Sequence, residues 1–235
     1  MEFFELCEKI SKVYDVKQHL QEVLATLPQG VRLVAVSKFH PCEQILEAYA
    51  CGQRIFGESH EQEIRQKHQQ LPADIEWHFI GHLQTNKVKY IVPYISTIQS
   101  VDSLRLLREI DKQAARCGRC INVLLELHIA AEATKYGLTT DALHQLLDDG
   151  EWRQMEHVRI CGLMMMASLT DDQEQIAREF QQAADLFDEV KARYFADDDT
   201  FCERSWGMSD DYPIALRHGS TMVRIGTTIF GPRVY

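Results

Sequence analysis

Residues 31–38, Val-Arg-Leu-Val-Ala-Val-Ser-Lys, decide the fold class of this 235-residue chain. The stretch is mostly apolar and ends on a lysine, which predicts a buried strand with Lys38 at its carboxyl-terminal tip. Polar stretches with helical spacing separate most of the short apolar runs that follow. Those runs lie at 54–57, 77–81, 97–100, 122–129, 159–166, 201–207 and 222–230. Eight strands that alternate with helices predict a parallel α/β protein.

The count of eight strands favours a single (β/α)8 TIM barrel, although the chain length also fits an open doubly wound sheet. No glycine-rich dinucleotide fingerprint follows the first strand, and Lys38 stands in its place. Apolar residues at helical spacing predict an extra N-terminal helix over 1–27, which Pro28 and Gly30 end. A second clear helical pattern covers 174–195. We therefore expect one barrel domain over 1–235.

Composition and charge exclude several classes of protein. The formal net charge is −10, which disfavours binding to nucleic acid or to an anionic membrane surface. The first residues are acidic where a targeting segment needs bases, and no apolar run approaches the roughly 20 residues that span a bilayer. Seven scattered cysteines fit free thiols in a reducing compartment, so we expect a cytoplasmic protein.

Cys117 and Cys120 have the spacing of a redox motif or of half a zinc site. No second pair with this spacing accompanies them, and the histidines show no metal-ligand spacing. The simpler interpretation is two surface or half-buried thiols, and we predict no metal site.

Strand alternation brings the most reactive side chains together. Side chains two residues apart share one face of a strand, so Lys38 and Arg224 can both point into the barrel. They would then meet at the carboxyl-terminal mouth, where the active sites of this fold lie. A lysine there can form a Schiff base, while Gly226-Thr227 and Ser209 suit a phosphate group. Pyridoxal 5′-phosphate (PLP), a phosphorylated aldehyde, would use both features.

Motifs along nearly the whole chain carry a resemblance to a known family. They are AVSK (35–38), FGES (56–59), WHFIGHLQTNK (77–87), SVDS (100–103), KYG (135–137), GLMMM (162–166), WGMSDDY (206–212) and GSTMVRIGTTIFG (219–231). In these motifs the chain is similar to the YggS/PROSC family of PLP homeostasis proteins. The resemblance implies a PLP-binding barrel like the barrel domain of alanine racemase. It also implies a role in intracellular PLP homeostasis and delivery rather than a settled catalytic activity.

The resemblance implies a role for each matching residue. Lys38 would form the internal aldimine with PLP, and Arg224 would face the pyridine nitrogen. Met208 would lie beside the phosphate in the same turn. The phosphate would be held by Ser209, Gly226 and Thr227. Family members often have Asn-Tyr where this chain has Ser59-His60, which leaves the contact from the second strand open.

A PLP-dependent racemase or lyase of low activity is the alternative function. A cationic partner such as Arg224 disfavours protonation of the ring nitrogen and weakens PLP as an electron sink. A racemase also needs a second acid or base on the far face of the substrate. In the resemblance to alanine racemase, that group comes from a further domain, which we do not expect after Tyr235.

A Schiff-base aldolase would use the same lysine and phosphate site but does not explain the full motif set. We therefore expect a monomeric carrier of PLP rather than an enzyme, with apo-PLP enzymes as candidate recipients.

Overall fold

Eight parallel strands form the centre of the computed structural model, which describes residues 14–129 and 136–232. The strands pair in chain order and the last pairs with the first, so the sheet closes into a barrel. They are β1 Arg32–Val36, β2 Ile55–Glu58, β3 Glu76–Phe79, β4 Thr97–Val101, β5 Ile121–Leu127, β6 Val158–Met165, β7 Glu203–Ser205 and β8 Met222–Ile225. This topology confirms the predicted (β/α)8 barrel.

Helices surround the barrel and connect successive strands. They are α1 Val16–Thr26, α2 Cys42–Ala50, α3 Glu61–His68, α4 Val88–Ile91, α5 Leu104–Arg116, α6 Thr140–Asp149, α7 Gln173–Tyr194, α8 Tyr212–Arg217 and α9 Thr227–Phe230. Helix α1 is the described part of the predicted N-terminal helix, and the part of that prediction over 1–13 lies outside the described residues. Within the described ranges, no helix is long and apolar enough to cross a membrane.

The strands alternate between two environments, as the period of two predicts. Leu33 and Ala35 of β1 belong to the apolar core between the barrel and its helices, together with Phe56 and Trp77. Val34 lies on the opposite face of β1, inside the barrel. The barrel interior also contains polar side chains, and those near the carboxyl-terminal ends of the strands form the site described below.

The last strand is shorter than predicted. Strand β8 ends at Ile225, and the Thr-Thr-Ile-Phe segment that the sequence pattern assigns to the strand is helix α9. The amides of Ile229 and Phe230 donate to the carbonyl of Gly226 at 2.8 and 2.9 Å, which closes a helical turn. The strand propensity of this segment is overridden by its tertiary context.

Candidate functional site

A cavity of about 210 Å³ opens at the carboxyl-terminal mouth of the barrel. It lies among residues on or after the ends of β1, β3, β6, β7 and β8. All six predicted site residues line it, although they come from opposite ends of the chain. The lining consists of Val36, Lys38, His40, Ile80, Met166, Met208, Ser209, Asp210, Arg224, Gly226 and Thr227.

Lys38 lies where strand pairing ends and a turn begins. The amide of Ser37 still donates to the carbonyl of Gly57 at 3.0 Å, in the manner of the β1–β2 ladder. Phe39 then adopts a left-handed backbone with a φ of 67°, which is unusual for a bulky residue. The amide of His40 closes the turn onto the carbonyl of Ser37 at 3.1 Å. The half-buried Lys38 side chain therefore starts from a well-defined position at the cavity.

Arg224 is almost fully buried, and the protein fixes its guanidinium group. Nη1 donates to the carbonyl and the hydroxyl of Ser205 at 2.6 and 2.7 Å, and Nη2 donates to the carbonyl of Met165 at 2.8 Å. Burial lowers the pKa of Arg224 to about 10, while Asp211 and Glu126 oppose the change. Arg224 therefore remains a cation at neutral pH.

A chain of hydrogen bonds continues from Arg224 across the barrel. The hydroxyl of Ser205 donates to Oε1 of Gln99 at 2.7 Å, and Nε2 of Gln99 lies 2.8 Å from Nδ1 of His78. Burial lowers the pKa of His78 to about 3, helped by the positive charge of Arg32. His78 is therefore neutral and accepts the amide hydrogen of Gln99 at Nδ1.

The turns after β7 and β8 meet at the predicted phosphate site. The hydroxyl of Ser209 accepts from the amide of Gly226 at 3.4 Å. In the described part of the chain, the amides of Thr227 and Thr228 have no acceptor, as is usual for the first residues of a helix. The hydroxyl of Tyr14 donates to the carbonyls of Thr227 and Thr228 at 3.1 and 2.8 Å, which holds the turn from behind.

Gly226 has a packing role that its sequence context does not show. A Cβ atom at this position would lie 2.9 Å from the carbonyl oxygen of Val36 and 3.2 Å from its Cβ atom. The absence of a side chain therefore lets the end of β8 approach the end of β1 closely. The same close approach brings Thr227 and Lys38 to one cavity.

Two further residues of the site escaped prediction, the first because its contact is distant in sequence. Tyr14 is 213 residues from Thr227, and only its place in an apolar helical pattern was visible. Asp211 is buried and accepts from the amide of Met208 at 2.5 Å, which shapes the turn that carries Ser209. The acidic pair in the Trp-Gly-Met-Ser-Asp-Asp-Tyr motif was a visible sign of such a turn.

Other candidate residues lie away from this cavity. Ser59 and His60 line a neighbouring cavity of about 260 Å³, so the family departure at these positions does not alter the described lining. Cys117 and Cys120 are exposed free thiols. Among residues 14–129 and 136–232, no group of three or more metal-ligating side chains comes together.

Comparisons with known proteins agree with this geometry. The family model described as alanine racemase, N-terminal domain, matches residues 13–234. A pyridoxal phosphate homeostasis protein of Aquifex aeolicus is 35% identical over 230 residues, covering 97% of this chain and 99% of the relative. The protein of the same name in Escherichia coli is 36% identical, with 88% of each chain covered. This chain belongs to the pyridoxal phosphate homeostasis protein family.

Solved structures extend the family match to three dimensions. PipY of Synechococcus elongatus with PLP bound aligns with a TM-score of 0.83 and 34% identity, covering 92% of this chain and all of PipY. PipY without PLP aligns with a TM-score of 0.86. Alanine racemase of Clostridium difficile aligns with a TM-score of 0.68 at 14% identity, which shows a shared fold.

The cavity has the polar groups that PLP requires. Two backbone amides after β8 are without an acceptor among the described residues, which suits a phosphate. Arg224 also lines the cavity, and in the same part of the chain its guanidinium group makes hydrogen bonds through Nη1 and Nη2 but none through Nε. Lys38 supplies an amine on the same cavity, and Ile80 and Met166 supply apolar walls. The residues present fit the cofactor that the family name indicates.

Proposed function

We propose that this protein binds PLP covalently through Lys38 and serves PLP homeostasis rather than turnover of a substrate. The observation that carries the proposal is the convergence of Lys38, Arg224 and the Gly226–Thr227 turn on one cavity. PLP supplies an aldehyde that reacts reversibly with amines. The amine of Lys38 would condense with that aldehyde and release water. The structure of PipY with PLP bound, 34% identical to this chain, supports the same ligand here.

The remaining site residues would hold the two ends of the cofactor. Ser209, Gly226 and Thr227 would bind the phosphate, with Met208 packed beside them. Arg224 would donate to the ring nitrogen and keep it unprotonated, because two adjacent positive charges repel each other. We further propose that the protein is a cytoplasmic monomer that delivers PLP to apo-PLP enzymes. This part of the proposal rests on the family resemblance.

A racemase or lyase would need a further acid or base at the cavity. His40 and Asp210 line it, and the buried carboxyl group of Glu126 interacts with Arg224 from outside the lining. Burial raises the pKa of Glu126 to about 7, and Asp102 adds to the rise. A pKa near 7 suits proton transfer. Glu126 is nevertheless not among the residues that line the cavity, and its charge instead stabilises that of Arg224. The positive charge of Arg224, which opposes protonation of the ring nitrogen, therefore favours a carrier.

Reduction with borohydride tests the covalent attachment. Borohydride would convert the C=N bond at Lys38 into a stable secondary amine, and peptide mass mapping should then place a phosphopyridoxyl group on Lys38. The Lys38→Ala variant should lose the label, and Lys87→Ala, which changes a lysine of the neighbouring cavity, should keep it. Labelling of another lysine with Lys38 unmodified would contradict the proposal.

A further inference from the structure

Ser37 and Phe39, which flank Lys38, form hydrogen bonds with a charged cluster on the outer side of the barrel wall. The cluster consists of Glu58, Glu63 and Lys67. The carbonyl of Ser37 accepts from Nζ of Lys67 at 2.7 Å, and the hydroxyl of Ser37 donates to Oε1 of Glu58 at 2.6 Å. On the other side of Lys38, the amide of Phe39 donates to Oε1 of Glu63 at 2.6 Å. The peptide groups before and after Lys38 are thus each held by a side chain of α3, and Glu58 of β2 holds the side chain of Ser37.

Lys67 joins the members of this cluster. Its Nζ lies 2.8 Å from Oε1 of Glu58 and 2.7 Å from Oε1 of Glu63, in addition to its bond to Ser37. These contacts use all three hydrogens that an ammonium group can donate. Because Glu63 accepts from both Lys67 and Phe39, the cluster is one continuous network that encloses the Ser37–Phe39 turn.

The cluster occupies a layer that is otherwise apolar. Phe56 and Phe79 lie in the layer between strands and helices, yet the side chains of Glu58 and Lys67 are 0% and 7% exposed there. Burial raises the pKa of Glu58 to about 7 although Lys67 opposes the rise, and Oε2 of Glu58 has no hydrogen-bond partner among the described atoms. Buried charges of this kind are a poor source of stability compared with apolar packing. A role in the geometry of the adjacent lysine accounts for them better.

We propose that Lys67 and Glu63 are positioning residues that hold the turn around Lys38 and so direct its amine into the cavity. The turn needs such support because the left-handed backbone of Phe39 is unfavourable for a bulky residue. The Glu63 carboxylate stabilises that backbone through the Phe39 amide, and Lys67 fixes the carbonyl on the opposite side of Lys38. This inference rests on the proposed covalent role of Lys38.

Glu63 is the best position for a test because its side chain is 21% exposed and its loss should be tolerated. Glu63→Gln keeps an oxygen that can accept from the Phe39 amide, whereas Glu63→Ala removes it. Two ligands distinguish an effect on the position of the Lys38 amine from general damage to the binding site. PLP reacts with Lys38, and pyridoxine 5′-phosphate, which has an alcohol in place of the aldehyde, can only bind non-covalently.

We expect Glu63→Ala to slow attachment of PLP, followed by its absorbance, by about tenfold or more, since small displacements of a reacting group lower rates strongly. Its affinity for pyridoxine 5′-phosphate should stay unchanged, and Glu63→Gln should match the wild-type protein with both ligands. Lys67→Met combined with Glu58→Gln removes the two most deeply buried charges together and leaves only the partly exposed carboxylate of Glu63. This double variant should also slow attachment selectively.

The outcomes are distinguishable. Equal attachment rates in Glu63→Ala and Glu63→Gln, or a parallel loss of affinity for pyridoxine 5′-phosphate, would overturn the positioning role while Lys38 remains the site of attachment. Absence of a borohydride-stable label on Lys38 in the wild-type protein would overturn the proposed function itself.

Discussion

Thr227 lines the cavity through the first turn of α9, and the neighbouring Thr228 does not. The two threonines therefore offer a matched pair for testing the phosphate site at the scale of one hydroxyl group. Both carbonyls accept from the hydroxyl of Tyr14, so the backbone of the turn is supported independently of either side chain. A change at Thr227 should consequently affect the ligand rather than the fold.

We predict that Thr227→Val weakens PLP binding without unfolding the barrel. The hydroxyl would donate a charge-assisted hydrogen bond to the phosphate, which contributes about 1.5–3 kcal/mol, or roughly 10- to 100-fold in Kd. Thr228→Val should bind PLP like the wild-type protein. Equilibrium titration followed by absorbance measures both, and an unchanged Kd for Thr227→Val would exclude this role.

Local sequence patterns were sufficient for some residues of the site and insufficient for others. The period of two along β1 and β8 predicted that Lys38 and Arg224 share the barrel mouth, because alternation is a local property of a strand. The contacts of Lys67 with Ser37 and of Tyr14 with Thr227 span 30 and 213 residues. Contacts of this length depend on how helices pack on the barrel, and no local pattern encodes them.

At the scale of elements, four strands share the polar network inside the barrel. His78 of β3, Gln99 of β4, Ser205 of β7 and Arg224 of β8 form one chain of hydrogen bonds. Because β3 and β4 lie across the barrel from β7 and β8, the bond between Gln99 and Ser205 links the two sides of the barrel. A neutral His78 at its end has a definite consequence for the dependence of stability on pH.

Stability should fall below pH 6.5 partly because of His78. The unfolded chain binds a proton at a His78 pKa near 6.5, whereas burial lowers the folded pKa to about 3. The contribution of His78 is therefore complete above pH 6.5 and is lost as the pH falls towards 3, at about 1.4 kcal/mol per pH unit.

The variant His78→Asn removes this titration while its amide oxygen can still accept from Gln99. Between pH 7 and pH 5, we expect the wild-type protein to lose about 2 kcal/mol more free energy of unfolding than the variant. Urea denaturation at the two pH values measures the difference. The same loss in both proteins would show that His78 does not titrate as described.

The boundary between β8 and α9 shows where element prediction fails. The segment Thr-Thr-Ile-Phe has the composition of a strand, and the pattern placed the end of the strand at Phe230. In the structure, Gly226 has a φ of −122° and a ψ of −72°, which turns the chain out of the sheet and over the barrel mouth. The strand propensity of this segment therefore does not determine where β8 ends, because the turn at Gly226 depends on tertiary packing.

At the scale of the whole molecule, closure of the barrel determines the position and the charge of the Arg224 guanidinium group. Pairing of β8 with β1 and with β7 places the guanidinium group in the interior, where Ser205 and Met165 bind both terminal nitrogens. Arg224 cannot turn away without breaking these buried bonds. Its pKa of about 10 keeps it positive at neutral pH. The positive charge at the wall of the cavity is therefore a permanent property of the fold.

We predict that the PLP-loaded protein does not turn over amino acids at the rates of ordinary enzymes. Strong carbanion stabilisation by PLP requires a protonated ring nitrogen, and the fixed positive charge of Arg224 opposes that protonation. His40 and Asp210 line the cavity, but no acid or base there restores the electron sink that a protonated ring nitrogen provides.

Chiral chromatography of a panel of L- and D-amino acids, incubated with the PLP-loaded protein, measures this turnover. Lys38→Ala mixed with the same amount of PLP gives the background of free PLP, which reacts slowly with amino acids on its own. We expect the wild-type rate to be only slightly above that background, because the positive charge of Arg224 opposes protonation of the ring nitrogen and so lowers the reactivity of bound PLP. Turnover of any amino acid near about 10 per second, a typical enzyme rate, would show that the barrel overcomes the charge of Arg224 and would make this protein a racemase or lyase.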